Sequence, residues 1–206
     1  MRLLIVAAAA LGIGACAHME SRAERDAAAK ALQADPAIAA ETGALNGLIR
    51  IAIDATRLYE QAAEEADDVQ LQRQLETIAA ERKAFARKLQ QRVAALGGRP
   101  AETGQVTGAI HRSFTELRGL VENDSVAAAD EVYSGEGFVI GELNRTLEQS
   151  RTAASQELIR TELARVKAQR DDVGLVKAEI ETRLKQEAAA EGAQQQAAQA
   201  AKPDPS

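Results

Sequence analysis

The stretch Val69-Gln-Leu71-Gln-Arg-Gln-Leu75-Glu-Thr-Ile78-Ala-Ala-Glu-Arg82-Lys-Ala-Phe85-Ala-Arg-Lys-Leu89-Gln-Gln-Arg-Val93-Ala-Ala-Leu96-Gly97-Gly98 decides the fold. Its large apolar residues return every three or four positions, at 71, 75, 78, 85, 89, 93 and 96. That is the period of a helix with one buried face, and Gly97-Gly98 ends it as a C-cap pair. Position 82 falls on the same face and holds an arginine.

The pattern repeats on both sides. A first helix is expected over about Ala44–Ala66, with Leu45, Leu48, Ile49, Ala52, Thr56, Tyr59, Ala63 and Ala66 on one face. Ile51, Ile53 and Leu58 broaden that face. After a loop with Pro100 and Gly104, a shorter helix is expected over Val106–Glu122, then a turn and N-cap at Asn123-Asp124-Ser125. Two more follow. Val126–Glu148 carries Val126, Ala129, Tyr133, Glu136, Ile140, Leu143 and Leu147; Ser155–Lys185 carries Ile159, Leu163, Val166, Arg170, Val173, Val176, Ile180 and Leu184. Apolar faces on every helix, joined by short links, give an all-α antiparallel four-helix bundle over residues 41–185. The 106–122 helix is then a crossover, as in the long middle link of ferritin-like folds.

Composition agrees. The 206 residues include 45 alanines but only four prolines, and Ala37–Arg99 and Ala101–Lys202 are free of proline. Such stretches favour helix because their side chains lose little rotamer freedom there. Aromatics are only 2%, too few for a β-sandwich or for base-stacking nucleic-acid modules. A net charge of −6 speaks against a phosphate-binding surface. One cysteine excludes an internal disulfide framework and Cys-based zinc clusters.

That cysteine sits at the end of an address. Met1-Arg2 gives a basic start, Leu3–Ala15 is apolar or small, and Ile13-Gly14-Ala15-Cys16 closes the segment. This resembles the bacterial lipobox. The resemblance implies removal of a 1–15 signal peptide and lipidation of Cys16. With Ala17 rather than Asp next, it also implies the periplasmic face of the outer membrane. Several acyl chains anchor stably where one is marginal, at about 0.8 kcal/mol per buried methylene. Two alternatives remain: cleavage at an Ala-x-Ala site releasing a soluble periplasmic protein, and retention of the segment as a short anchor. Residues 16–40 are read as the lipidated cysteine and a charged helical or flexible tether. Residues 186–206, rich in Ala and Gln, are read as a fraying helix or disordered tail.

Leu96-Gly97-Gly98-Arg99-Pro100 followed by Gly104-Gln105-Val106-Thr107-Gly108-Ala109-Ile110-His111-Arg112 resembles the signature of an uncharacterised bacterial ferritin-like four-helix-bundle family, a domain of unknown function. Leu45-Asn46-Gly47-Leu48-Ile49, Asp54 and Tyr59-Glu60-Gln61-Ala62-Ala63 resemble its first helix. Ala80–Ala86 with Leu89-Gln90 resembles its second, and Gly135-Glu136 and Val166-Lys167-Ala168 with Asp171 its later ones. The likeness covers about Glu41–Lys185 and departs at Arg170, where the family pattern has histidine. It implies the fold and leaves the activity open.

Catalytic and metal motifs are missing from the sequence. Ferritin-like di-metal sites use Glu-x-x-His on two helices, and the chain has none; its histidines are His18 and His111. Asp54 is placed about 140° from the centre of its apolar face, toward water. No metal, no cofactor and no nucleic acid is therefore expected. Tyr59 and Tyr133 read as core residues with one polar end. Gly135, Gly137 and Gly141 read as close helix packing, or else as a surface for a partner helix. Arg82, Glu136 and Arg170 fall near the midpoints of three apolar faces. Either they form a buried charge network or the arginine stems pack while their heads reach the edge.

The expected protein is a membrane-anchored envelope lipoprotein with a non-enzymatic interaction or stress-related bundle, working alone, as a homo-oligomer or with an envelope protein. Two alternatives stand: a divergent ferritin-like metal-binding or redox protein, and an oligomeric structural spacer.

Overall fold

The computed structural model describes residues 22–104 and 124–200. Among the described residues there are five helices and no strand: α1 (Arg22–Gln33), α2 (Pro36–Glu65), α3 (Val69–Ala95), α4 (Asp124–Gln149) and α5 (Ala153–Ala200). Helix α2 packs on α3 and α4, and α5 packs on α4 and α3, closing a four-helix bundle. Ser125 and Arg183 both bond Asp68 at one end, while Glu41 meets Arg151 and Thr152 at the other. Helices α3 and α4 therefore run in the same direction, the connectivity of ferritin-like folds. The expected 106–122 helix, His111, His18 and Cys16 lie outside the described residues. No described helix is long and apolar enough to cross a membrane.

Helix ends differ from the sequence reading for local reasons. α2 begins at Pro36, eight residues before the expected start, because Asp35 caps it by accepting from the Ala37 amide at 2.8 Å and Pro36 takes the first turn. The last residues of the expected 16–40 tether, from Pro36 on, are therefore the first turn of α2. Asp68 caps α3 by accepting from Gln70 and Leu71, both at 3.0 Å. At the far end of α3, Gly97 adopts φ +74°, with Gly97 and Gly98 donating back to Ala94 and Val93 at 2.9 Å. Ser125, expected to cap α4, instead accepts from the Asp68 amide at 2.9 Å, tying α4 to the α2–α3 turn. Helix α5 runs on through the Ala/Gln tract to Ala200 with side chains there exposed, so the tail is helical as far as it is described.

The apolar interior divides in two. One cluster holds Tyr59, Leu71, Leu75, Ile78, Val132, Val173 and Ile180; the other holds Leu45, Ile49, Phe85, Leu89, Leu143, Ile159 and Val166. Polar links fix the second end. Glu41, fully buried, accepts from the Arg151 amide at 2.7 Å, the Thr152 amide at 3.0 Å and the Thr152 hydroxyl. Arg92 braces the same corner by donating to Ser155 and Thr152 at 2.8 and 2.7 Å. The carboxylate thus sits over the N-terminus of α5, where free amides and the helix dipole favour negative charge. Burial opposes its ionisation, but the donors from Ser155, Thr152 and Arg151 prevail and hold it below the usual range. Helix α1 docks on this end too: Gln33 donates to the Leu96 carbonyl at 2.8 Å and to Thr42 at 3.1 Å.

The glycines separate by environment. A Cβ on Gly97 would come within 2.5 Å of the Ala29 carbonyl oxygen, so α1 lies directly on the α3 cap. Gly135 and Gly141, expected at close helix contacts, have no described atom within 4 Å of where a Cβ would stand, and Gly137 has only Arg170, at 3.8 Å. Close packing is not what these three supply among the described residues.

Two outcomes follow from these contacts. Gly97→Ala loses about 1–2 kcal/mol for its backbone alone, more with the α1 clash, whereas Gly141→Ala gains about 0.5–1 kcal/mol. Urea unfolding of both variants checks this, and losses of similar size would refute it. Glu41→Gln costs about 1–3 kcal/mol at neutral pH. Because the folded-state pKa of Glu41 is lowered, its stabilisation is complete above the unfolded value near 4.3 and is lost as pH falls through the folded one. The gap between wild type and variant therefore closes in acid; a gap independent of pH would show that the charge is not what holds this corner.

Candidate functional site

Between the two apolar clusters lies a charged layer. Arg82 on α3 is 1% exposed, although arginine is almost never fully buried unless paired. Its Nη2 donates to both oxygens of Glu136 on α4 at 2.7 and 2.8 Å, and its Nη1 to Glu162 on α5 at 2.6 Å. Nη2 also lies 2.9 Å from Gln169 Oε1, and the Gln169 amide donates to Glu81. Arg165 closes the outer edge by bonding the second Glu162 oxygen at 2.8 Å. Among the described residues, Arg82 Nε has no partner.

The electrostatics follow from burial. Desolvation pushes Glu136 and Glu162 above the ordinary carboxylate range, and Arg82 offsets this only in part. For Arg82 burial works against the charge, but the Glu136 and Glu162 carboxylates more than restore it. Tyr59, wholly buried on α2, is pushed far above the usual phenol range by desolvation and then by the neighbouring Glu136 charge. It stays a neutral hydroxyl at the edge of the layer.

The structure thus brings Arg82 and Glu136 together and places Arg170 elsewhere. Arg170 is half-buried, its guanidinium carbon 3.9 Å from the centroid of the Tyr133 ring and its Nε donating to the Tyr133 carbonyl at 3.1 Å. Tyr133 therefore serves as a platform for a cation at the bundle edge. The place expected for Arg170 is taken by Glu162, which is 2% exposed. The signal was present: Ile159 and Val166 are seven apart, so either 162 or 163 can lie between them on the seam. Choosing the apolar Leu163 hides the acid. Asp54 is likewise not turned to open water; it is 11% exposed, and a Cβ on Gly104 would collide with its carboxylate.

The 96–104 loop is pinned beside this face. Asn46 donates to the Arg99 carbonyl at 3.1 Å and accepts from the Ala101 amide at 2.7 Å, and Gln90 donates to the Ala101 carbonyl at 2.9 Å. The loop and Asn46 are thus bound into one unit.

A di-metal centre of the ferritin-like kind does not fit the charged layer. It needs carboxylate and imidazole lone pairs converging on open space. Here both Glu136 oxygens and both Glu162 oxygens are engaged by guanidinium groups, and Glu81 is held by Gln169. Among the described residues, no group of three His, Cys, Asp or Glu side chains is placed to hold a metal ion.

Comparisons with known proteins point to the same architecture. Residues 40–149 match the family described as Domain of unknown function (DUF2383). No curated protein matches the sequence. Among solved structures, the fold is similar to a conserved hypothetical protein, rv2844, of Mycobacterium tuberculosis, at TM-score 0.56 and 12% identity, covering 67% of this chain and 97% of that one. It is also similar to a point mutant of Mycobacterium smegmatis Dps1, at TM-score 0.58 and 17% identity, covering 69% and 98%. At such identities the likeness concerns the fold alone. The family match covers more than half of the sequence, including α2, α3 and α4, and the chain belongs to the DUF2383 family of unknown function.

Proposed function

We propose that this chain is a lipid-anchored envelope protein, attached through Cys16, whose ferritin-like bundle is a non-catalytic module. One observation carries the non-catalytic part. The facing carboxylates at the bundle midpoint already hold a cation, the Arg82 guanidinium, which is part of the chain itself. A covalently supplied cation occupies the place between Glu136 and Glu162 that a metal would need, and guanidinium groups engage both oxygens of each carboxylate. The layer then acts on structure: it sets the relative height of α3, α4 and α5.

The anchor reading is supported by the lipobox-like Ile13-Gly14-Ala15-Cys16. Placing the anchor before α1 puts the bundle on a membrane surface rather than in it. The alternative reading of a divergent metal or redox protein requires Arg82 to withdraw.

Metal content decides between these readings. The chain is exposed to iron(II), manganese(II) and zinc(II), desalted, and its metal per chain measured by elemental mass spectrometry. No stoichiometric metal is expected. Near-stoichiometric metal that is lost in Glu136→Gln would overturn the proposal.

The structural role makes its own prediction. Arg82→Met costs about 3–5 kcal/mol at neutral pH, because it strands the buried Glu136 carboxylate and leaves Glu162 with Arg165 alone. Those carboxylates have raised folded pKa values, so the native state binds more protons than the unfolded state above about pH 4. The variant therefore regains stability as pH falls toward 5. A double-mutant cycle between Arg82→Met and Glu136→Leu should give a coupling of about 0.5–3 kcal/mol in urea unfolding, and zero coupling would sink the structural role.

A further inference from the structure

Charge is sorted along the bundle axis. Residues 22–54, 82–104 and 137–165, the half that holds the start of α2, carry fourteen Lys or Arg against ten Asp or Glu. Residues 55–81, 124–135 and 167–200 carry seven against sixteen. With a net charge of −6, the chain as a whole is repelled by an anionic surface. The sorting gives it one end that is not.

At that end, Lys30, Arg99 and Arg151 present exposed side chains from three separate elements: α1, the loop after α3 and the α4–α5 turn. Backbone-level links hold the three elements together. Gln33 fixes α1 to the Leu96 carbonyl, Asn46 holds the Arg99 carbonyl, and Glu41 holds the Arg151 amide. Of the acids in this half, Asp35 caps α2, Glu41 is buried and Glu142 pairs with Arg145, while Glu102, Glu148 and Glu157 are exposed. In the opposite half Lys177 pairs with Asp130 and Arg183 with Asp68, and exposed acids such as Asp67, Asp171 and Asp172 outnumber exposed cations such as Arg73 and Lys185.

We infer that the basic end, built from α1, the 96–104 loop and the α4–α5 turn, is a docking face for the anionic headgroups of a lipid bilayer. This rests on the anchor reading above. Helix α1 leads back toward Cys16 and is docked on this same end, so anchor and basic residues address one surface. The acidic end and the exposed extension of α5 beyond Leu184 then point away from it. Basic residues close to such a surface favour this orientation, and salt weakens it within a Debye length of about 10 Å at 0.1 M.

The test uses the full chain, purified from membranes and reconstituted at low salt into vesicles of phosphatidylcholine alone or mixed with phosphatidylglycerol. A fluorophore is placed at Glu102→Cys, in the basic-end loop, or at Glu191→Cys, on the α5 extension. Quenching by a nitroxide carried on the lipid headgroup reports which end faces the bilayer. Expected is strong quenching at position 102 and little at 191, present in the anionic vesicles and suppressed by salt. Neutralising Lys30, Arg99 or Arg151 to Gln should each lower the face-down share about fivefold, equivalent to about 1 kcal/mol per basic residue. A vesicle-bound chain whose two positions quench equally, or identically in both lipids, overturns the docking face and leaves the anchor intact. A chain retained on neither vesicle overturns both. A chain without lipid at Cys16 that still binds only the anionic vesicles through position 102 overturns the anchor and upholds the face.

Discussion

Burying the Arg82 guanidinium between Glu136 and Glu162 obliges α3, α4 and α5 to meet at one height. Its hydrogen bonds of 2.6 to 2.8 Å leave little room for adjustment. The surrounding features follow from that requirement. The apolar interior is split into two clusters because the layer passes between them. Tyr59 contributes a neutral hydroxyl at the layer, where another charge would be unsupported. Arg165 covers the outer Glu162 oxygen, so the second carboxylate is also compensated where the layer reaches the surface.

The two ends are fixed by the same logic at smaller scale. At one end Glu41 fills the electrostatic vacancy over the α5 N-terminus; at the other, Asp68 caps α3 while its amide and its second oxygen hold Ser125 and Arg183. Each of these acids serves a helix terminus and an inter-helix contact at once. Caps of this kind stabilise by about 1 kcal/mol singly. By reaching across helices they also fix which end meets which. The sorted surface charge is laid on that frame, since the links that gather Lys30, Arg99 and Arg151 at one end are the same end contacts.

Much of this was legible in the sequence, where periodicity and chemistry agreed. The 3–4 repeat from Leu71 to Leu96 gives α3 within a residue, and Gly97-Gly98 gives its stop. Arg82 and Glu136 could be singled out because a charge on an otherwise apolar seam has few explanations. Glu162 was hidden by Leu163, since one-dimensional periodicity cannot say which of two adjacent residues faces inward when one is apolar. Arg170 was drawn into the network by the same ambiguity and instead rests on Tyr133. Asp35-Pro36 was ambiguous because proline both stops one helix and opens the next. Asp54, placed toward water by its helical angle, is instead only 11% exposed. Its covering by Gly104 is a tertiary contact that no local pattern contains.

A buried ionic layer is a weak source of stability, because desolvating each ion costs several kcal/mol and the attraction little more than offsets it. Its value here follows from composition. The inward face of α2 includes Ala52, Ala55, Ala62, Ala63 and Ala66, short side chains of equal size that interlock weakly. A slip of one helical turn, about 5.4 Å, would exchange one alanine for another at a cost of less than about 1 kcal/mol per methyl. The bonds of the Arg82 layer forbid such a slip among α3, α4 and α5, where it would break every bond to Arg82 and leave Arg82 and Glu136 without partners, while the bonds of Glu41 to Arg151 and Thr152 fix the height of α2. Apolar burial thus makes the bundle compact, while the charged layer makes its register unique. A metal held by four helices would impose the same register from outside the chain. In this protein the guanidinium imposes it from within, which is why the midpoint is closed rather than open to a ligand.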